Sequence, residues 1–200
     1  MTRLPHDDAH WVTYNGVQGG RSVRDLCREA LRLAGPGAGR TAIDLGCGAG
    51  IETRALLAEG WHVHALDGSP ETRAVVLRTV GGAHPRLTVR SAHYEDIDSL
   101  PAADLIYAGY SLPYQDVASF RRLWTMIRSA LRPGGVLAVN LFGVHDSWAG
   151  TEQMTFLESA EARALCDGLE IVSWDEEDAD GPAYSGPKHW HVFHVIARAR

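Results

Sequence analysis

At 200 residues the chain is long enough for one domain with a sizeable core, and its 45% hydrophobic and 22% charged residues are ordinary for a soluble globular protein. Nineteen basic against twenty-five acidic residues give a net charge of −6 with no basic cluster, which argues against nucleic acid or an anionic membrane as a partner. The start MTRLPHDDAH lacks a signal-peptide pattern, no apolar run is long enough to span a bilayer, and Cys27, Cys47 and Cys166 are too scattered for a disulfide framework or zinc knuckle, so a reducing, cytoplasmic location is expected.

Residues 1–20 form a short leader that carries Trp11 and Tyr14 beside Gly16, Gly19 and Gly20. Aromatic side chains on a hinged leader suggest a lid over a site. From Ser22 the pattern turns amphipathic, with Val23, Leu26, Cys27, Ala30, Leu31 and Leu33 on one face; Ser22 is the expected N-cap and Asp25 reinforces it. Gly35 to Gly39 ends this helix.

Thr41 to Gly50 (TAIDLGCGAG) organises the rest of the chain. Ala42, Ile43 and Leu45 suit a buried parallel strand, which stops at Gly46, Gly48 and Gly50, where the backbone can turn and approach a ligand closely. Helical spacing resumes from Ile51 to Glu59. A second strand, Trp61 to Leu66, ends in Asp67 and Gly68, which places an acid where it can accept hydrogen bonds from both hydroxyls of a ribose. Glycines at first, third and fifth places depart from the dinucleotide fingerprint, which wants the sixth, and the Lys of a phosphate-binding Walker loop is missing. Asp44, two positions before the first glycine, sits poorly beside a pyrophosphate and suits a ligand with ammonium and sulfonium groups.

The run D-L-G-C-G-A-G followed by A-L-D-G-S resembles the first motif and the acidic second strand of class I S-adenosylmethionine-dependent methyltransferases. The glycine loop with L-A-E-G-W-H-V-H-A-L-D, the Y-S-L-P loop and the terminal K-H-W-H-V-F-H-V-I-A-R look like the small tellurite-resistance-type members. The resemblance implies a Rossmann-like α/β fold with S-adenosylmethionine as cofactor, held by Asp44, the loop Gly46, Cys47, Gly48 and Gly50, Asp67 and Gly68. In that family an acid and the next backbone N–H usually meet the adenine after strand three; here His93 stands in the acid's place and Tyr94 follows.

Gly68-Ser69-Pro70 opens a helix over 71–79, and Leu87 to Val89 is the third strand. Ala103 to Ala108 is the fourth, with Ala108 at its cofactor-facing end. The loop after it carries Tyr110 and Tyr114, expected to contact the methyl acceptor, since loops at the C-terminal ends of parallel strands line the ligand crevice. Phe120, Leu123, Trp124, Ile127 and Leu131 mark a helix that ends in an R-P-G-G turn before a fifth, fully buried strand, Val136 to Phe142. The loop Gly143 to Gly150 would bring His145, Asp146 and Trp148 to the same crevice; Trp148 is a substrate contact and His145 the candidate general base. A helix over 154–166, a sixth strand over 169–174, a solvated acidic loop over 175–180, a turn over 181–187 and a seventh strand over 188–199 complete the chain. Period two puts Trp190, Val192, His194 and Ile196 on one face of that last strand and His189, His191, Phe193 and Val195 on the other. His189 and His191 could chelate a metal, but no carboxylate or cysteine spacing supports it, so no metal is expected.

The expected architecture is one domain over residues 1–200: a seven-stranded, mostly parallel sheet with strand seven antiparallel and helices on both faces. The expected activity is methyl transfer to a small molecule, whether metabolite, natural product or chalcogen oxyanion. A non-catalytic S-adenosylmethionine-binding protein shares the cofactor half, and a nicotinamide oxidoreductase shares the sheet.

Overall fold

The computed structural model describes residues 8–18 and 20–200; residues 1–7 and 19 of the expected leader lie outside the described residues. One sheet takes the order β3-β2-β1-β4-β5-β8-β7, built from Leu87–Ser91, His62–Asp67, Thr41–Leu45, Ala103–Ala108, Leu131–Gly143, Gly186–Ala199 and Leu169–Ala183. A further two-residue strand, β6 (Phe156–Leu157), pairs with the end of β5. The first five strands are parallel, and β8 runs antiparallel between β5 and β7, as the sequence predicts for the last strand. The chain leaves β1 toward β2 and β3, then returns to place β4 on the other flank of β1. That reversal opens a crevice at the strands' C-terminal ends.

Alternation along the strands sorts the core into two layers. Ile43, Leu45, Ile106, Leu137, Val139 and Phe193 pack against Phe120, Leu123, Trp124 and Ile127 of helix α5 (Val117–Ala130). Ala42, Val63, Ala65, Leu105, Val136 and Ala138 face Cys27 and Ala30 of α2 (Asp25–Ala34), Leu56 of α3 (Ile51–Ala58) and Val76 of α4 (Thr72–Val80). All three cysteines are buried and unbridged. No helix among the described residues is long and apolar enough to cross a membrane.

Four local expectations are corrected. Helix α2 has Arg24, not Ser22, at its N-cap position without a side-chain cap; its backbone N–H instead donates to Glu52 at 3.1 Å. The R-P-G-G segment is absorbed into the start of β5, with a register irregularity between Ala103 and Leu105. The helix expected over 154–166 is α6 (Ser159–Ala164), closed by a capping box between Glu158 and Glu161. The acidic run 175–180 is strand, because β7 continues to Ala183 and the turn narrows to Tyr184–Ser185. Cross-strand pairing explains this: Asp175, Asp178 and Asp180 lie opposite His194, His191 and His189, so the histidines of β8 offset the like charges of β7. The leader contains helix α1 (Asp8–Gln18).

Candidate active site

The turn after β1 is held by backbone bonds, with Gly46 N–H and Cys47 N–H both donating to the Leu66 carbonyl at 2.7 and 3.0 Å. Gly46 and Gly48 have φ of 71° and 48°. A Cβ on Gly46 would run into the Ser111 side chain, and one on Gly48 would meet Asn15 Oδ1 at 2.8 Å. Close approach as well as backbone angle therefore demands glycine at both. Gly50, at φ 79°, packs on Val76 behind the loop.

Asp67 braces this turn from β2. Its Oδ2 accepts from Gly48 N–H at 2.9 Å, while Oδ1 accepts from Ser69 N–H at 3.0 Å and Thr72 Oγ1 at 3.3 Å. The His93 ring lies against Gly68, and the Tyr94 hydroxyl is buried beside Gly46 and Ser111. Asp44 is buried beneath the loop, with Oδ2 accepting from Thr53 Oγ1 at 2.6 Å and no partner for Oδ1 among the described residues. Burial, then the Glu52 charge, push its carboxyl up to about 7. Glu52 behaves oppositely: against the upward pull of burial, the Arg21 guanidinium at 2.6 and 2.5 Å and the Arg24 N–H hold it below its ordinary value.

From this turn a cavity of about 770 Å³ extends to an aromatic wall at the ends of β4, β5 and β8. Gly46, Cys47, Gly48, Asp67, Gly68, His93 and Tyr94 line one end; Trp11, Tyr14, Tyr110, Tyr114, Trp148 and Trp190 line the other. Helix α1 touches both ends, with Asn15 at Gly48 and the Trp11 ring edge-on to Tyr114 at 4.9 Å. Volume and mixed lining suit a ligand of drug size or larger.

Asp44, Gly50, Ala108 and His145 do not line the cavity. The first three lie beneath or behind the loop, as Ala108 is fully buried in the core. His145 is the larger correction. Its loop leaves β5 at the expected place, but its ring turns to the outer face, 62% exposed, with Nδ1 2.9 Å from Asp178 Oδ2 and the ring stacked on His191 at 4.5 Å and 14°. Ligand atoms of His145, Asp178 and His191 lie within 4.8 Å of one another. Nearly parallel stacked rings aim their lone pairs side by side rather than at a shared point, and both His191 nitrogens are engaged, Nδ1 by His145 N–H at 3.0 Å and Nε2 by Glu176 at 3.0 Å. This arrangement does not chelate.

Sequence reasoning expected Asp146 in the crevice; it lies buried behind the aromatic wall instead, and its partner Lys188 was missed. The Asp146 carboxylate, with 0% side-chain exposure, pairs with Lys188 and accepts from Trp148 N–H at 3.0 Å and His191 N–H at 3.3 Å. The Lys188 ammonium rests 3.5 Å from the Trp148 ring centroid and 3.9 Å from that of Trp190. Burial pulls the Lys188 pKa down against the opposing pull of Asp146. Glu177, on the same cavity, was missed because 175–180 reads as a loop; counting by twos from Leu169 would have put it on the other face, since the register shifts between Ile171 and Ser173. Asn15, Ser111, Arg21 and Arg24 carry no local signal at all.

Residues 42–135 match the family described as "Methyltransferase domain", a span that contains the glycine turn, Asp67 and β4. Over that span, just under half of its length, the chain is similar to a methyltransferase domain. The family's methyl donor is S-adenosylmethionine. Among curated proteins, carboxy-S-adenosyl-L-methionine synthase of Yersinia pestis (strain Pestoides F) is 23% identical over 168 residues, covering 75% of this chain and 63% of the relative. The chain thus spans less than two thirds of the length of the curated relatives it matches. Among solved structures, TehB from Haemophilus influenzae superposes with a TM-score of 0.76 at 12% identity, covering 96% of this chain and 67% of that one. The N-methyltransferase NodS from Bradyrhizobium japonicum WM9, in complex with S-adenosyl-l-homocysteine, gives 0.68 at 16% identity, covering 96% and 99%. Both likenesses show the methyltransferase fold. The residues of the turn fit the family's donor: two positions without room for a Cβ, and beside them a strand-end carboxylate that lines the cavity.

Proposed function

We propose that the protein transfers a methyl group from S-adenosylmethionine to a small organic acceptor. One observation carries this: a single cavity joins the glycine turn and Asp67 to the aromatic wall. Gly46 and Gly48 accept the methionine portion, Asp67 the ribose hydroxyls, and His93 with Tyr94 flanks the adenine. Tyr110, Tyr114 and Trp148 receive the acceptor, and α1 with Trp11 and Tyr14 covers it. The net charge of −6 supports a small molecule over nucleic acid, and the buried thiols fit a reducing, cytoplasmic setting.

When bound, the donor supplies a methyl carbon on a cationic sulfur, already an activated leaving group. The chain therefore has to bring an acceptor in line and keep water out. Orientation in such a cavity removes several kcal/mol of entropic barrier, and aromatic walls exclude solvent from the reacting atoms. His145 has no part in this, since its ring faces away from the cavity.

Calorimetry with S-adenosylmethionine and with a nicotinamide dinucleotide, followed by methyl-group turnover over a panel of acceptors, tests the proposal. Tighter binding of S-adenosylmethionine and transfer to at least one small acceptor are expected. Preference for the dinucleotide defeats the proposal, and tight donor binding without any transfer reduces the protein to a binder. Deleting residues 1–18 should abolish turnover with the melting temperature largely kept; unchanged turnover removes the lid.

A further inference from the structure

The β7–β8 hairpin carries different chemistry on its two faces. Its register pairs Glu177 with Val192 and Asp178 with His191. Alternation then sends Asp178 and Asp180 outward with His189 and His191, and Glu177 inward with Trp190 and His194. Glu177 lines the cavity with its side chain 38% exposed.

Hydrogen bonds behind Glu177 fix its orientation. Tyr110 N–H donates to Asn140 Oδ1 at 3.2 Å, which orients that fully buried amide. Asn140 Nδ2 is then the donor toward His194 Nδ1 at 2.8 Å. A ring nitrogen that accepts carries no hydrogen, so neutral His194 holds its proton on Nε2, which faces Glu177 Oε2 at 3.3 Å. The relay offers Glu177 Oε2 a donor and so aims its carboxyl group. Of the other acids around the cavity, Glu52 is committed to Arg21, Asp67 to the glycine turn and Asp116 to the N-cap of α5, while Glu95 follows Tyr94 at the glycine-turn end, away from the aromatic wall. The nearby cation, Arg24, is occupied by the Tyr110 ring at 4.6 Å and the Tyr14 hydroxyl at 3.3 Å.

We infer that Glu177 is the catalytic carboxylate that meets the acceptor, and that the acceptor is an amine. This rests on the methyltransferase reading above. A carboxylate beside aromatic rings recognises an ammonium through charge and through the ring faces together. The protein's own Lys188 shows the preference, its ammonium lodged on Trp148 and Trp190, two of the three indoles that line the cavity. In the step itself an N–H bond of the bound ammonium breaks and its proton passes to a Glu177 oxygen. The freed nitrogen lone pair forms the bond to the methyl carbon, and the methyl–sulfur bond breaks with its electron pair going to sulfur, which becomes a neutral thioether. Asn140 and His194 are positioning residues that hold Glu177 aimed.

The test titrates phenethylamine and 3-phenylpropionate, alike in shape and opposite in charge, into the full chain saturated with S-adenosylhomocysteine. Phenethylamine should bind and 3-phenylpropionate should not. Glu177→Gln should weaken phenethylamine roughly 10- to 100-fold, the loss of one charged hydrogen bond, with S-adenosylhomocysteine affinity unchanged. Long-range nitrogen NMR should find His194 protonated at Nε2, and Asn140→Asp should move that proton to Nδ1. Binding of 3-phenylpropionate instead, equal amine affinity in Glu177→Gln, or no amine binding with S-adenosylhomocysteine in place overturns the inference alone. Absence of S-adenosylhomocysteine binding overturns the methyltransferase reading and takes this inference with it.

Discussion

The two ends of the cavity are made of different material. At the glycine turn the working groups are main chain: N–H groups of Gly46, Cys47 and Gly48, one strand-end carboxylate, and the space left by missing Cβ atoms. At the aromatic wall they are side chains from α1, the loops after β4 and β5, and the β7–β8 hairpin, propped by the buried Lys188–Asp146 pair. Backbone geometry tolerates little variation, so the first end admits few substitutions. Side chains on separate loops can be exchanged one at a time, so the second end can be retuned to a new acceptor without disturbing the first.

Breaking the prop should show the largest effect. Asp146→Ala strands the Lys188 ammonium among three aromatic rings and frees two backbone donors, so a loss of about 3–5 kcal/mol in denaturant unfolding is expected. S-adenosylmethionine affinity of the folded fraction should be untouched. A variant that loses donor binding in proportion to stability would erase the division between the two ends.

Gly46→Ala probes the opposite end. Left-handed strain and the collision with Ser111 together cost about 2–5 kcal/mol, and donor binding should vanish with it. Thermal unfolding beside calorimetry separates the two losses; retained donor affinity would mean that the turn is not the seat of the ligand. Asp67→Ala is milder, about 1–3 kcal/mol in donor affinity, because it leaves ribose hydroxyls and the Gly48 N–H without their acceptor. Unchanged affinity in that variant would take the ribose away from β2.

The outer face of the hairpin should give the smallest effect. Asp178 is drawn down to about 2, first by His189 and then by His145, and His189 is raised by Asp178 and then Asp180. A depressed carboxylate stabilises above its ordinary 3.8 and loses that as pH falls toward 2. A raised histidine stabilises below its ordinary 6.5 and loses that as pH climbs past its folded value. Both contributions coincide between about pH 4 and 6.5. The melting temperature of the wild type should therefore exceed that of Asp178→Asn at pH 5.5 and converge with it by pH 9. Parallel curves would show that solvent screens the ladder completely.

The same contrast explains what the sequence could disclose. Strand β1, the glycines and the acid that ends β2 were legible because close packing and the bracing of the turn confine the residue types at fixed spacing. Strand β4 was legible to the residue, its apolar run having both faces covered. Asp175 to Asp180 was not, because five acids look like solvent-exposed loop until their histidine partners across the hairpin are known. His145 illustrates the same blindness: its loop was placed correctly, but the direction of a side chain depends on Asp178 and His191, far along the chain. Lys188 and Asp146 needed the fold to meet.

The distribution of indoles gives the molecule a built-in optical partition. Of its six tryptophans, Trp11, Trp148 and Trp190 line the cavity, all at the aromatic end, while the glycine turn and its neighbours on β2 and after β3 carry none. Trp61 is sealed in the core, and Trp124 and Trp174 pack on the far layer. Fluorescence emission should accordingly report occupancy of the two ends with unequal weight, shifting when the aromatic end fills and changing little when only the turn does. A titration in ordinary light can thus separate the arrival of the two ligands without any label.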